Sequence, residues 1–148
     1  MVDLEKHMGL SSEYEVDPES SLSIWYGEIR EKKICDLTVF DLARCLRQGI
    51  FPEHIIFGVI EIIKSDPFGG DLFDGELIRL MSTKLDVQFW RNNKKARKRL
   101  IEILKHHPLL SKPDFNNWTQ YDPLLEDLDE IKRDLDSLKI ILLKTETN

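Results

Sequence analysis

Apolar side chains recur along this chain mainly at intervals of three and four, so the pattern predicts helices. Leu22, Trp25, Tyr26 and Ile29 give one apolar face to a helix over 20–32. Val39, Leu42, Ala43 and Leu46 make the buried stripe of a second, over 37–48. Its ends are well marked. Thr38 can cap it, with Asp41 as the capping-box acid and Leu37 and Leu42 at the two staple positions. Gly49 suits the left-handed residue that closes it. A third helix opens at Pro52 and carries Ile55, Ile56, Phe57, Val59, Ile60, Ile62 and Ile63. Apolar nearly all round, it is expected to be the central one. Its β-branched residues also suit a strand, but its length and flanking signals favour helix.

Asp66-Pro67 stops that helix, and Gly69-Gly70 permits a tight turn. Asp74 is expected to cap a fourth helix, with Phe73 and Ile78 as its staple. Asp86, between Leu85 and Trp90, repeats the device, and 87–106 reads as one long helix. Pro108 and Pro113 bracket a loop whose Phe115, Trp118 and Tyr121 are expected to fold back onto the core edge. The last helix opens at Asp122-Pro123. Its Leu124, Leu128, Ile131, Leu135, Leu138 and Leu142 follow each other at intervals of four and three. This seam is expected to pack on the bundle, with homodimerisation through it as the alternative. The prediction is an all-α chain, one domain over 1–148 holding a bundle of about six helices. Residues 1–19, acidic and carrying Ser11, Ser12 and Pro18, read as a mobile lead-in.

Composition narrows the function classes. Of the 148 residues 41% are hydrophobic and 32% charged, with a formal net charge of −6 and a pI near 5.2. That balance argues against nucleic acid as the main partner and suits a basic protein. Cys35 and Cys45 are too few for a disulfide framework and form no Cys-x-x-Cys motif. The start, Met-Val-Asp-Leu-Glu-Lys, lacks the pattern of a signal peptide, and no apolar stretch reaches membrane-spanning length. A soluble, cytoplasmic protein with no membrane partner is expected.

Catalytic signatures are missing: no Gly-rich phosphate loop, no Gly-x-Ser-x-Gly, no His-Glu-x-x-His. Asp66, Asp71, Asp74 and Glu76 fail the EF-hand order and read as caps and turn formers. His106 and His107 are adjacent on a helix and point about 100° apart. They suit the dipole of a helix end better than a ligand set with His54. Cys45 reads as a buried small hydrophobe. No enzyme, metal or cofactor is expected.

Two charged surfaces remain. The last helix carries Asp127, Glu130 and Asp134 on one stripe, flanked by Glu126, Asp129 and Asp136. Glu126, Asp127, Asp129, Glu130 and Asp134 are the candidate contacts for a basic partner, against the plainer reading of a solvated face. The helix over 91–105 carries Lys94, Lys95, Arg97, Lys98 and Arg99, which could meet phosphates. Its charges surround the helix without interleaved aromatics, so a solvated face pairing with the acidic last helix is preferred. A small nucleic-acid-binding regulator is the alternative function.

Leu37-Thr38-Val39, the run from Asp41 to Gln48, and Asp66-Pro67-Phe68-Gly69-Gly70-Asp71-Leu72-Phe73-Asp74-Gly75-Glu76-Leu77 resemble a family of helical immunity proteins of bacterial contact-dependent growth inhibition (CDI) systems. Phe89-Trp90 after the next cap also fits. The resemblance spans roughly residues 22 to 104 and rests mostly on caps and core. It departs at Phe57-Gly58, where a proline is expected. It implies a non-enzymatic inhibitor that binds the C-terminal toxin domain of a cognate effector in the cytoplasm. Toxins of these systems are often nucleases, and ribonucleases are common among them.

Overall fold

A computed structural model describes residues 15–146. Nine α-helices lie among them: α1 (Ser21–Ile29), α2 (Val39–Gln48), α3 (Pro52–Ser65), α4 (Glu76–Thr83), α5 (Val87–Asn92), α6 (Lys94–His106), α7 (Pro108–Ser111), α8 (Phe115–Tyr121) and α9 (Leu128–Lys144). A single 3-10 turn, Ile34–Asp36, joins α1 to α2. The chain is all-α, as its periodicity predicts. The expected lead-in falls largely on residues 1–14, which lie outside the described residues. Asp17 and Glu19 belong to the turn before α1: the Asp17 N–H donates to Ser23 Oγ, and the Glu19 N–H to Asp17 Oδ1.

Local signals place the first half well. Ser20 caps α1 by accepting from the Ser23 N–H at 3.1 Å. Thr38 and Asp41 form a full capping box on α2, and Gly49 closes it at φ 67°. Pro52 takes the first turn of α3. That helix is central: it packs against α2, α4 and α6 and buries Ile55, Ile56, Val59, Ile60 and Ile63. It is not buried all round, since Phe57 is 45% exposed.

The second half departs from expectation in four places. The helix read as continuous over 87–106 breaks at Asn93, whose backbone leaves the helical region (φ −120°, ψ 61°). The Asn93 side-chain amide donates to the Phe89 carbonyl at 2.8 Å, taking an acceptor that a continuing helix would give to a backbone N–H. The cap of α4 is Gly75 at φ 80°, not Asp74. Phe73 stays 40% exposed under the Arg79 guanidinium, while Ile78 is buried, so the second staple does not form. The aromatic loop contains its own helix, α8. Trp118 is fully buried there, edge-on to Phe68 at 5.1 Å, and donates to the Leu109 carbonyl. Trp118 and the partly buried Phe115 close the core edge as expected, whereas Tyr121 touches Phe68 but stays 47% exposed. Finally, α9 starts at Leu128 rather than Asp122. Asp122 instead accepts from the Leu124 N–H in a turn, which leaves Leu124 82% exposed.

From Leu128 onward the seam is internal. Ile131, Leu135, Leu138 and Leu142 are buried, chiefly where α9 lies along α4, with further contact to α5. Those four side chains are spent on the bundle and are not free to pair two copies.

Candidate interaction surface

The charged side chains gather at a loop and a helix start that face each other across a cleft. The loop, 66–76, is tied from within. Asp66 Oδ1 accepts from the Phe68 N–H, the Gly75 N–H donates to the Phe68 carbonyl at 2.7 Å, and the Leu77 N–H donates to the Gly69 carbonyl. Glu76, only 1% exposed, turns its carboxylate back under the loop and accepts from the N–H groups of Asp71 and Leu72 at 2.9 and 3.0 Å. Arg47, from α2, holds both acids: its Nη2 is 3.0 Å from Asp71 and its Nε 3.7 Å from Glu76. A buried carboxylate is tolerated where N–H donors and a guanidinium replace its water.

The other wall is the start of α9. Asp127 precedes it in the left-handed region (φ 50°, ψ 48°), and its side chain makes no cap hydrogen bond. Arg79, from α4, bridges the two walls. Its Nε donates to Asp134 at 2.8 Å and its Nη2 to Glu130 at 2.9 Å, while its guanidinium lies 4.6 Å from the centre of the Phe73 ring. Its hydrogen bonds to the Glu130 and Asp134 carboxylates push the Arg79 pKa above its ordinary value.

Between the walls is a cleft of about 540 Å3, lined by Asp71, Asp74, Glu126, Asp127 and Glu130 with Arg79 as the one cation. The five acids singled out from the sequence thus divide. Glu126 and Asp127 line the cleft; Glu130 lines it and is paired with Arg79; Asp134 is paired and only 19% exposed; Asp129 is exposed on α9 outside the cleft lining. Sequence reasoning missed Asp71 and Asp74 as surface groups, having assigned them to turns. It also missed Arg79, whose only signal is that it is the sole charged residue between Glu76 and Lys84.

The basic helix is put together differently from expectation. Two arginines of the 91–105 segment grip the end of α9, not its acids: Arg91 of α5 donates to the Lys144 carbonyl and Arg97 of α6 to the Thr145 hydroxyl. Arg99 pairs with Glu61 of α3 at 3.2 Å and stands 3.9 Å from Glu102. Lys94, Lys95 and Lys98 are exposed. Two of the five proposed phosphate contacts are therefore already engaged within the fold. His107 Nδ1 accepts from the Leu109 N–H at the start of α7, and His54 lies 3.4 Å from Glu53. Burial pushes the Cys45 thiol up to about 12, with the nearby Asp41 charge adding to it, so Cys45 is a poor nucleophile. Among the described residues no group of three His, Cys, Asp or Glu could hold a metal ion, and no helix is long and apolar enough to cross a membrane.

Comparison with known families decides the wider assignment. Residues 9–100, more than half of the chain, match the CDI immunity proteins. The chain belongs to that family. No match is found among curated proteins. The family match takes in the whole loop wall and Arg79 but ends within α6. The α9 wall of the cleft, with Glu126, Asp127 and Glu130, lies beyond it. As a CDI immunity protein, the chain acts against a CDI toxin.

Proposed function

We propose that this immunity protein neutralises the C-terminal toxin domain of its cognate effector by tight one-to-one binding in the cytoplasm, without catalysis, and that the toxin is a nuclease, with ribonuclease favoured. The observation that carries the reading is the cleft itself: five carboxylates meet there around one guanidinium, on walls pinned by partly buried ion pairs. A nuclease must present cations to hold a phosphate backbone. A fixed surface with excess negative charge complements such a site, speeds encounter and disfavours acidic partners. Glu126, Asp127 and Asp129 supply the unpaired charge of the contact, together with Asp74. Glu130 and Asp134 serve it through Arg79, which holds the two walls in register.

The test is a protection assay. The C-terminal domain of the effector encoded beside this chain is expressed with and without it. Growth arrest by the domain alone, rescue by this protein and co-purification as a one-to-one complex are the expected results. RNA from arrested cells should be cleaved. Intact RNA with cleaved DNA would replace ribonuclease by deoxyribonuclease. Failure to rescue and to bind would remove the assignment to that effector.

A further inference from the structure

We propose that Leu72 and Phe73, at the tip of the 66–76 loop, are the apolar anchor of the toxin contact and dock into an apolar pocket rimmed by Lys or Arg side chains. The proposal rests on the immunity reading above and adds the residues that grip and the chemistry of the surface they fit. Leu72 is 64% exposed and Phe73 40%. A single exposed apolar side chain is ordinary. Two adjacent ones on a loop this firmly held are a different matter.

The backbone beneath them is fixed from three directions. Glu76 holds the Leu72 and Asp71 N–H groups from inside, and Arg47 holds Asp71 from the side. At Gly70 the loop closes on itself so tightly that a Cβ would overlap the Phe73 carbonyl oxygen and lie 2.6 Å from Glu76 Cβ. Arg79 stacks on the Phe73 ring and so restricts its rotation. A loop ordered in advance loses little entropy on docking, so its apolar tip can deliver most of its burial as affinity.

The surroundings name the partner's chemistry. Asp71, Asp74, Glu126 and Asp127 line the cleft beside the tip. An apolar centre within a charged rim is the anatomy of a binding hot spot. The complementary surface is a hydrophobic pocket bordered by cations, which meet these acids as Leu72 and Phe73 go in. Surface acids alone would speed encounter; the anchor sets how long the complex lasts.

The experiment uses the full chain and the toxin domain made catalytically inactive, with binding followed by biolayer interferometry. Leu72→Ser is the primary variant, because so exposed a side chain contributes little to the fold. The double variant Leu72→Ser/Phe73→Ser should bind at least about tenfold more weakly, mainly through faster dissociation. Leu72→Met should bind like the wild type, separating apolar contact from disturbance of the loop. If the wild type binds and the double variant stays within about tenfold of it, the anchor is wrong while the immunity reading stands. A Leu72→Met variant as weak as Leu72→Ser also overturns the anchor. If the wild type itself does not bind, the immunity reading for that toxin fails and takes the anchor with it.

Discussion

Asp41 ties several parts of the fold together. Its carboxylate accepts from the Trp25 indole at 3.0 Å, from the Thr38 N–H at 3.1 Å and from Lys32 at 3.3 Å. One side chain therefore caps α2 and fastens α1 onto it, while Arg44 covers the Trp25 ring at 4.9 Å. Burial alone would raise its pKa, but the Trp25, Thr38 and Lys32 interactions together outweigh burial and hold it below the usual 3.8. The direction fixes the pH dependence. A carboxyl with a lowered folded pKa stabilises fully above its unfolded value and loses that contribution as pH falls through the folded value. Asp41→Ala should cost about 2–3 kcal/mol at neutral pH, the sum of a lost cap and stranded buried donors. Urea denaturation at pH 7 and near pH 2 would check it. The gap between wild type and variant should narrow at the lower pH, and an equal gap at both would mean that ionisation of Asp41 is irrelevant.

At the scale of elements, the decisive joint is α4 against α9. Gly75 begins α4 at φ 80°, and a Cβ there would lie 2.9 Å from Ile131 Cγ1 on α9. Gly75→Ala should therefore destabilise by about 1–3 kcal/mol, through both the left-handed backbone and the overlap. Chemical denaturation measures this, and a neutral result would show that α9 can shift away freely. The joint also shows what was legible in the sequence. Thr38, Gly49, Pro52 and Asp41 in its capping role act within four residues, so these roles follow from order along the chain; the Trp25 and Lys32 contacts of Asp41 do not. Arg79 reaches Glu130 and Asp134 some fifty positions away, and no local pattern announces that. The same holds for Arg47, which faced away from its own apolar stripe for a reason that only the 66–76 loop supplies. Asp74 and Asp122 each looked like a cap. At the first, Gly75 could adopt the left-handed turn that α4 needs; at the second, Asp122 spends its side chain on the Leu124 N–H while the chain runs on to Asp127. The acids of α9 were visible as a stripe, but their division into paired and unpaired groups depends on tertiary partners.

For the whole molecule, the net charge of −6 matters less than where it lies. The arginines of α5 and α6 are drawn into contacts with α9 and α3, whereas the acids beside the 66–76 loop keep charge in excess of Arg79. That asymmetry gives the molecule a direction of approach toward a cationic partner. Reversing two of the unpaired charges, Glu126→Lys with Asp127→Lys, should slow association with the toxin domain by about tenfold at low salt and change dissociation much less. Neither residue is part of an internal ion pair, so any loss of thermal stability should be confined to the weaker helix start at Asp127, which stands at φ 50° before α9. The effect should fade as salt rises, because the screening length falls from about 10 Å at 0.1 M to about 3 Å at 1 M. Lys94→Glu, on α6, provides the contrast: it should leave association unchanged or slightly faster. Stopped-flow kinetics across a salt series would separate these outcomes. If the double reversal leaves the association rate untouched at low salt, the cleft does not face the toxin. If Lys94→Glu alone slows association, the partner meets the basic helix, and the polarity assigned to the contact is reversed.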